Sequence, residues 1–159
     1  MTARSAASRY DTTRSQGGSA YQVVQPESNL YDRAEYERDI EPVATELKLG
    51  VVTYCSLASG FLSGKHRSSA DLGKSTRGER VARYLDARGL RILDALDAVS
   101  DKHRTTPTAV ALAWQIARPS VTAPIASATS LAQLHDLGAA IRLALDADDV
   151  KRLDEASAY

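Results

Sequence analysis

Three short apolar segments rich in β-branched residues, separated by stretches with helical spacing, constrain the fold of this chain most strongly. They occupy residues 21–25, 51–54 and 121–125. Strands that alternate with helices favour parallel pairing through right-handed crossovers. The strand starts lie about 30 and 70 residues apart, the spacing of βα units of which the second is enlarged. We therefore predict an α/β fold with about three parallel strands and flanking helices.

The stretches between these strands carry helix signals. Thr106 with Pro107 forms an N-cap and first-turn proline, and Ser130 and Asp146 are further N-cap candidates. Pro42 predicts a regular helix that begins near it after a separate turn, and Gly50 is expected to end that helix. Apolar residues at helical spacing are the expected inward positions: Tyr36, Ile40, Val43, Leu47, Ile92, Leu96, Val99, Val110, Ala113, Trp114, Ala117, Leu134, Leu137, Val150 and Leu153.

Two polar stretches lie outside this pattern. Residues 1–20 are rich in Ser, Thr, Arg and Gly, with few large apolar residues, which predicts a mobile arm before a domain at 21–159. Residues 67–78 have too few apolar side chains for a core element. We predict a long loop there, and long loops in compact domains are often functional.

The composition excludes several classes of protein. Twenty basic and twenty acidic side chains cancel, so no nucleic-acid partner is expected. No apolar run approaches the ~20 residues that span a bilayer, and no apolar signal core is found at the N-terminus. The single Cys55 fits a reducing cytoplasm. Three histidines, His66, His103 and His135, lack metal-ligand spacing and are expected to be exposed or at helix ends.

Ligands of parallel α/β folds bind at the carboxyl ends of strands, here after Gln25, Tyr54 and Ile125. The second loop resembles a P-loop between Gly60 and Lys65, but it is one residue short, and a histidine replaces the hydroxyl residue. Its small residues still allow close approach of backbone to a ligand, and Lys65 can pair with a phosphate. The third loop leads into a helix N-terminus, which suits an anion. The alternative is that each loop is an ordinary βα connection with a capped helix.

Several motifs in order, with matching spacing, resemble the aldo-keto reductase family. They are Val24-Gln25-Pro26 with Asn29-Leu30, then GVVTYCSLASGFLSGK at 50–65, TPTAVALAW at 106–114 and PIASATSLAQL at 124–134. The resemblance covers about residues 21–157. It implies that the chain is the C-terminal part of a (β/α)8 TIM barrel that binds NADPH at its C-terminal face. The three strands would then be the sixth, seventh and eighth.

The resemblance also implies roles for individual residues in binding NADP(H). Gln25 matches the glutamine beside the nicotinamide carboxamide, and Tyr54 matches the aromatic that stacks on the nicotinamide. The loop that passes along the ribose and pyrophosphate is matched by Cys55, Ser56, Leu57 and Ala58. Lys65 matches the lysine that closes this loop over the cofactor. Residues that hold the adenosine 2′-phosphate and adenine are Ser127, Thr129 and Gln133. The alternatives are Tyr54 as a core aromatic, Gln133 as a solvated helix residue and Lys65 as a surface charge.

Departures from the family pattern leave the choice between NADPH and NADH open. Cys55-Ser56 stands where Ser-Pro is frequent, Ser127 and Thr129 stand where glycine and arginine are common, and Leu137 replaces an asparagine. The family reduces aldehydes and ketones with an Asp, Tyr, Lys, His tetrad from the first half of the barrel. Ser8-Arg9-Tyr10 resembles the Ser-Asn-Tyr of the fifth strand, but the sequence offers no candidate for the tetrad.

Two hypotheses follow from the sequence. The chain is the cofactor-binding portion of an NADPH-dependent reductase that acts on a small carbonyl substrate only with its missing half. Alternatively, it is a non-catalytic half-barrel that binds NADP or self-associates through the open edges of its sheet.

Overall fold

A computed structural model of the chain has a three-stranded parallel sheet, as the sequence predicts, and its strands lie side by side in chain order. The strands are β1 (Val23–Val24), β2 (Gly50–Thr53) and β3 (Ala123–Pro124). They are shorter than the predicted segments because only these residues complete the ladder. The structure describes residues 3–74 and 78–159.

Seven α-helices, one π-helical turn and several 3-10 turns accompany this sheet in the described part of the chain. The α-helices are α1 (Ala3–Ser15), α2 (Glu41–Glu46), α3 (Gly78–Val81), α4 (Ala87–His103), α5 (Pro107–Ile116), α6 (Leu131–Arg142) and α7 (Ala147–Ala156). A π-helical turn spans Tyr36–Ile40, and 3-10 turns span Ala58–Ser63, Ser69–Lys74 and Ala82–Tyr84. The π-helical turn followed by α2 confirms the separate turn predicted ahead of Pro42.

The predicted N-caps are all present, because their side-chain oxygens satisfy amides that a helix start leaves unpaired. Thr106 accepts from Ala109 N at α5, and Ser130 accepts from the third residue of α6. Asp146 and Asp149 form a reciprocal capping box at α7. These caps fix where each helix starts relative to the strand that precedes it.

Three expectations about boundaries and burial are wrong. Gly50 does not end α2, since Lys48 takes the left-handed conformation (φ 54°) and Gly50 opens β2. Ala117 follows the last residue of α5 and is exposed. Leu134 is 53% exposed because α6 packs on α5 through its other side, where Leu137 and Ala140 lie.

The polar stretches contain more structure than predicted. Residues 3–15 of the expected arm form α1, whereas residues 1–2 lie outside the described part, and the mobility of the arm stays a prediction. Within 67–78, the Asp71 carboxylate accepts from the amides of Arg67 and Ser68 at 2.9 Å and organises the 3-10 turn Ser69–Lys74. Residues 75–77 of that predicted loop lie outside the described residues.

The histidine expectation is wrong for His66, which is completely buried. The turn that follows covers its ring, and Nδ1 lies 3.0 Å from the carbonyl oxygen of Asp71. His103 is the last residue of α4, as expected of a helix-terminal histidine, and His135 is exposed.

The two faces of the sheet differ in what covers them. Val24 and Val51 are paired in register and buried against the π-helical turn and α2, together with Tyr36, Ile40 and Ala44. A larger apolar cluster beyond the sheet joins α4, α5 and α7 to the turns near Phe61 and Tyr84.

The opposite face of the sheet is largely uncovered in the described part of the chain. Successive side chains of a strand alternate between faces, so Val23, Tyr54 and Ile125 share this face. They are 52%, 41% and 44% exposed. In a closed barrel this would be the interior face. The arrangement of parallel strands with helices on one side is that of a portion of a (β/α)8 barrel.

Candidate functional site

The three predicted loops meet at one edge of the sheet, because the carboxyl ends of parallel strands lie together. The first two are joined by backbone hydrogen bonds, from Tyr54 N to Pro26 O (3.0 Å) and from Ser28 N to Tyr54 O (3.4 Å). The third is tied to β2 by Ile125 N, which donates to Thr53 O at 2.7 Å. The candidate site is therefore built on adjacent strands.

The loop after β2 has an unusual backbone. Cys55, Ala58 and Ser59 have positive φ angles of 53°, 49° and 58°, and Gly60 follows at 97°. A non-glycine residue in this region costs about 1 kcal/mol, and such strain is concentrated at functional sites. The surrounding contacts must therefore hold this loop in place.

Two buried amide side chains hold it. Asn29 Nδ2 donates to Cys55 O at 3.1 Å, and Gln115 Nε2 donates to Ser56 O at 2.9 Å. Gln115 also accepts from Thr53 Oγ1 at 2.7 Å. Sequence reasoning gave neither residue this role. The available signal was a glutamine inside the otherwise apolar α5, because a buried amide needs partners.

The predicted residues of this loop divide by exposure. Ser56 is 1% exposed and its hydroxyl donates inward to Thr53 O at 3.3 Å. Ala58 is fully buried, and Leu57 packs between two apolar clusters. Ser56 and Ala58 therefore present neither side chain nor backbone at the surface, whereas Leu57 is partly exposed and Cys55 is exposed.

Lys65 lies close to the left-handed turn. A Cβ added at Gly60 would be 3.5 Å from both Cε and Nζ of Lys65, so the lysine side chain folds back over this turn. Lys65 is itself exposed, and its ammonium group is available to a ligand at the loop. The arrangement places the positive charge of Lys65 beside the backbone of the turn at Gly60.

Gln25 and Tyr54 line a small cavity of about 110 Å³ between β1 and the π-helical turn. Gln25 is exposed, and Tyr54 is 41% exposed, so the alternative of Tyr54 as a core aromatic is wrong. The hydroxyl of Tyr54 donates to Glu27 Oε2 at 3.5 Å. The ring of Tyr54 is thereby oriented with part of its surface free for stacking.

The surroundings of Cys55 are acidic. Burial raises the pKa of its thiol, and the carboxylates of Glu27 and Asp32 raise it further. Arg83 offsets part of this charge, with ion pairs of 3.0 Å to Asp32 and 3.5 Å to Glu27. The thiol is therefore held protonated and is a poor nucleophile at neutral pH. This acidic cluster was not found from the sequence.

The loop after β3 is organised by Gln133. The side-chain Oε1 of Gln133 accepts from Thr129 N at 2.8 Å and from Thr129 Oγ1 at 3.1 Å. The backbone N of Gln133 donates to Ser130 Oγ at 3.3 Å. Ser127, Thr129 and Gln133 are all exposed. The structure thus brings Thr129 and Gln133 together at the start of α6, whereas Ser127 lies three residues before the N-cap Ser130.

Some kinds of site are not found in the residues that the structure describes. No group of His, Cys, Asp and Glu side chains within 3–74 and 78–159 could hold a metal ion. No helix in this part of the chain is long and apolar enough to cross a membrane.

Comparison with known proteins identifies the family to which this chain belongs. The family model described as "Aldo/keto reductase family" matches residues 3–158. The chain therefore belongs to the aldo/keto reductase family, an oxidoreductase family with a TIM-barrel fold.

The names of two individual relatives, an oxidoreductase and an aldo-keto reductase, agree with this assignment. The chain is 32% identical over 119 residues to the "Uncharacterized oxidoreductase YrpG" of Bacillus subtilis (strain 168), covering 75% of this chain and 35% of that protein. It is 33% identical over 153 residues to "Aldo-keto reductase ausK" of Aspergillus calidoustus, covering 94% of this chain and 38% of that protein. It is 30% identical over 119 residues to a "Probable voltage-gated potassium channel subunit beta" of Arabidopsis thaliana, covering 72% and 36% respectively. The chain thus spans between a third and two fifths of the length of these relatives.

Proposed function

We propose that this chain is the cofactor-binding portion of an NADPH-dependent aldo-keto reductase, and that it does not itself carry the catalytic tetrad. Bound NADPH would supply hydride for the reduction of an aldehyde or ketone to an alcohol. The chain would bind and orient the cofactor. Reduction of a small carbonyl substrate would require the remaining part of a barrel. The lone Cys55, held as a free thiol, supports a place in the reducing cytoplasm.

The residues present fit a dinucleotide along the edge of the sheet. Tyr54 offers an exposed aromatic face with Gln25 beside it, which suits a nicotinamide and its carboxamide. The exposed part of the loop at Cys55 and Leu57, together with the ammonium group of Lys65, suits a pyrophosphate. Hydroxyls of Ser127 and Thr129 beside the N-terminus of α6 suit the adenosine 2′-phosphate, with Gln133 near the adenine.

One observation carries this proposal: Lys65 folds over a turn whose residues hold a left-handed backbone. Strain of this kind persists where the surroundings over-determine the conformation. Ordinary connections use single left-handed residues, as at Lys48, whereas Ala58, Ser59 and Gly60 hold this conformation at three positions in succession. The last of them, Gly60 with φ 97°, lies beside the Lys65 ammonium group.

Titration of the purified chain with NADPH, followed by NADPH emission, tests the proposal. We expect saturable binding that weakens about 10-fold or more in Lys65→Ala, because a charge-assisted contact to phosphate is worth roughly 1.5–3 kcal/mol. Tyr54→Ala should weaken binding by a similar factor, since it removes the stacking face. A parallel titration with NADH measures the contribution of the 2′-phosphate.

Lys151→Ala is the matched control for the lysine variant, because Lys151 is a solvent-exposed lysine on α7 with only a 3.9 Å ion pair to Glu155. Its affinity for NADPH should equal that of the wild type. Absence of NADPH binding by a chain shown to be folded would refute the proposed function.

A second candidate function is a non-catalytic module that self-associates. The uncovered sheet face with Val23 and Ile125, and the two open edges of the sheet, favour it. Sedimentation velocity over a range of concentrations separates the two: a self-associating module forms a defined oligomer that Ile125→Lys disrupts. A strictly monomeric, folded chain would argue against this candidate.

A further inference from the structure

Every backbone carbonyl oxygen from residue 53 to residue 57 accepts a hydrogen bond from inside the protein. Ile125 N bonds Thr53 O, Ser28 N bonds Tyr54 O, and Ala58 N and Asn29 Nδ2 bond Cys55 O. Gln115 Nε2 bonds Ser56 O, and Gly60 N bonds Leu57 O at 2.8 Å. At two consecutive positions in this run, a buried side-chain amide supplies a donor.

These two amides come from distant parts of the chain and are themselves completely buried. Asn29 follows β1 and also accepts through Oδ1 from the amides of Tyr31 and Asp32 at 2.8 and 2.9 Å. Gln115 lies on α5. Both are 0% exposed. A buried amide with all of its groups paired has one defined orientation, so each residue holds its carbonyl in a fixed direction.

The direction of these carbonyls matters for an anionic ligand. A carbonyl oxygen carries partial negative charge and repels a phosphate, whereas backbone N–H groups and Lys65 attract it. With these carbonyls turned inward, the part of the loop that reaches the surface, at Cys55 and Leu57, has no outward carbonyl beside the ammonium group of Lys65. The left-handed φ of Cys55 and Ala58 is the local conformation that accompanies this arrangement.

We propose that Asn29 and Gln115 are positioning residues of the cofactor site, which hold the carbonyls of Cys55 and Ser56 away from a bound pyrophosphate. The inference rests on the proposed function and deepens it. Neither residue touches the cofactor. Each residue acts through the loop after β2. Substitution of either residue should therefore weaken binding of the pyrophosphate more than binding of the adenosine end, which lies at the loop after β3.

The test uses Asn29→Leu and Gln115→Met in the full chain. Each change keeps the approximate size of the side chain and adds no charge, but it removes the NH₂ group that donates to the carbonyl. Gln22→Leu is the matched control for loss of a side-chain amide, because Gln22 is exposed and lies before β1, at the other end of that strand. Asp149→Asn, far along the chain on α7, is the control for lost stability.

Two ligands and one structural readout are measured: the affinity for NADPH, the affinity for adenosine 2′-monophosphate, and hydrogen exchange of the backbone at 54–58. We expect NADPH to bind at least 10-fold more weakly in both variants, while adenosine 2′-monophosphate changes less than 2-fold. Exchange at 54–58 should become faster in the variants and remain unchanged in both controls.

Three results would overturn the inference. Unchanged NADPH affinity in both variants would leave the proposed function standing and remove the positioning role. Parallel losses for both ligands, matched by Asp149→Asn, would mean that the variants only destabilise the fold. Failure of the folded wild type to bind NADPH would remove the proposed function itself. This result is distinguished from loss of the positioning role alone, because it is seen in the wild type before any substitution is made.

Discussion

At the scale of single residues, Asp149 shows how a buried carboxylate is kept charged. Its side chain is 3% exposed, and its oxygens lie 2.7 Å from Lys102 Nζ and 2.6 Å from His103 Nε2. It also completes the capping box with Asp146. Burial raises the pKa of Asp149, but the hydrogen bonds from Lys102, His103 and the backbone outweigh burial and lower the pKa to about 2.

This lowered pKa predicts an acid-sensitive contribution to stability. Because the folded-state pKa lies below the ordinary 3.8, the contribution is present above about pH 4 and is lost as pH falls toward 2. Asp149→Asn should therefore lower the free energy of unfolding by about 2 kcal/mol at pH 6 and by much less at pH 2. Urea unfolding at a series of pH values measures the difference.

The neighbouring Asp148 gives the control for this prediction. It lies in the same first turn of α7 but is exposed. Asp148→Asn should change the free energy of unfolding by no more than about 0.5 kcal/mol. A difference between wild type and Asp149→Asn that stays constant down to pH 2 would contradict the account of the buried carboxylate.

At the scale of elements, the start of α4 depends on a glycine. Gly89 lies in the first turn, and its amide donates to the N-cap Asp86 at 2.7 Å. A Cβ at this position would lie 1.8 Å from the carbonyl oxygen of Tyr84 and 3.0 Å from Cζ of Phe61. Gly89 therefore permits the close approach of α4 to the turn that precedes it.

We predict that Gly89→Ala destabilises the chain by about 3 kcal/mol or more, because backbone at that distance must shift. Gly138→Ala is the matched comparison inside α6, where the nearest atoms are guanidinium nitrogens of Arg142 at 4.0 Å. It should stabilise the chain by about 0.5–1 kcal/mol, the difference in helix propensity. Thermal unfolding followed by Trp114 fluorescence gives both values, and equal effects at the two glycines would contradict the packing at Gly89.

The elements also show what the sequence could supply. The parallel strands and the caps at Thr106, Ser130 and Asp146 were predictable, because alternation of pattern and capping chemistry are local. The burial of His66 and the exposure of Leu134 were not, since both depend on which elements pack together. The edge of the site was predictable from strand ends, whereas Asn29 and Gln115 act on carbonyls 26 and 59 residues away.

At the scale of the whole molecule, the two faces of the sheet differ in exposure, and this difference bears on the proposed cofactor site. One face packs on helices, and the other exposes Val23, Tyr54 and Ile125. The loops at the carboxyl edge are nevertheless fixed by contacts within the chain, such as the hydrogen bond from Ile125 N to Thr53 O. A site held in this way can keep its form when the barrel interior is uncovered.

The most direct test of the central claim is hydrogen exchange of the chain with and without saturating NADPH. The account predicts slower exchange in two separate segments, 54–65 and 126–133, because one dinucleotide lies across both loops. It predicts no change in α7, which lies outside the site. The claim that these loops form one cofactor site would be contradicted if NADPH slowed exchange in neither segment. It would also be contradicted if NADPH slowed exchange only in the strands β1, β2 and β3.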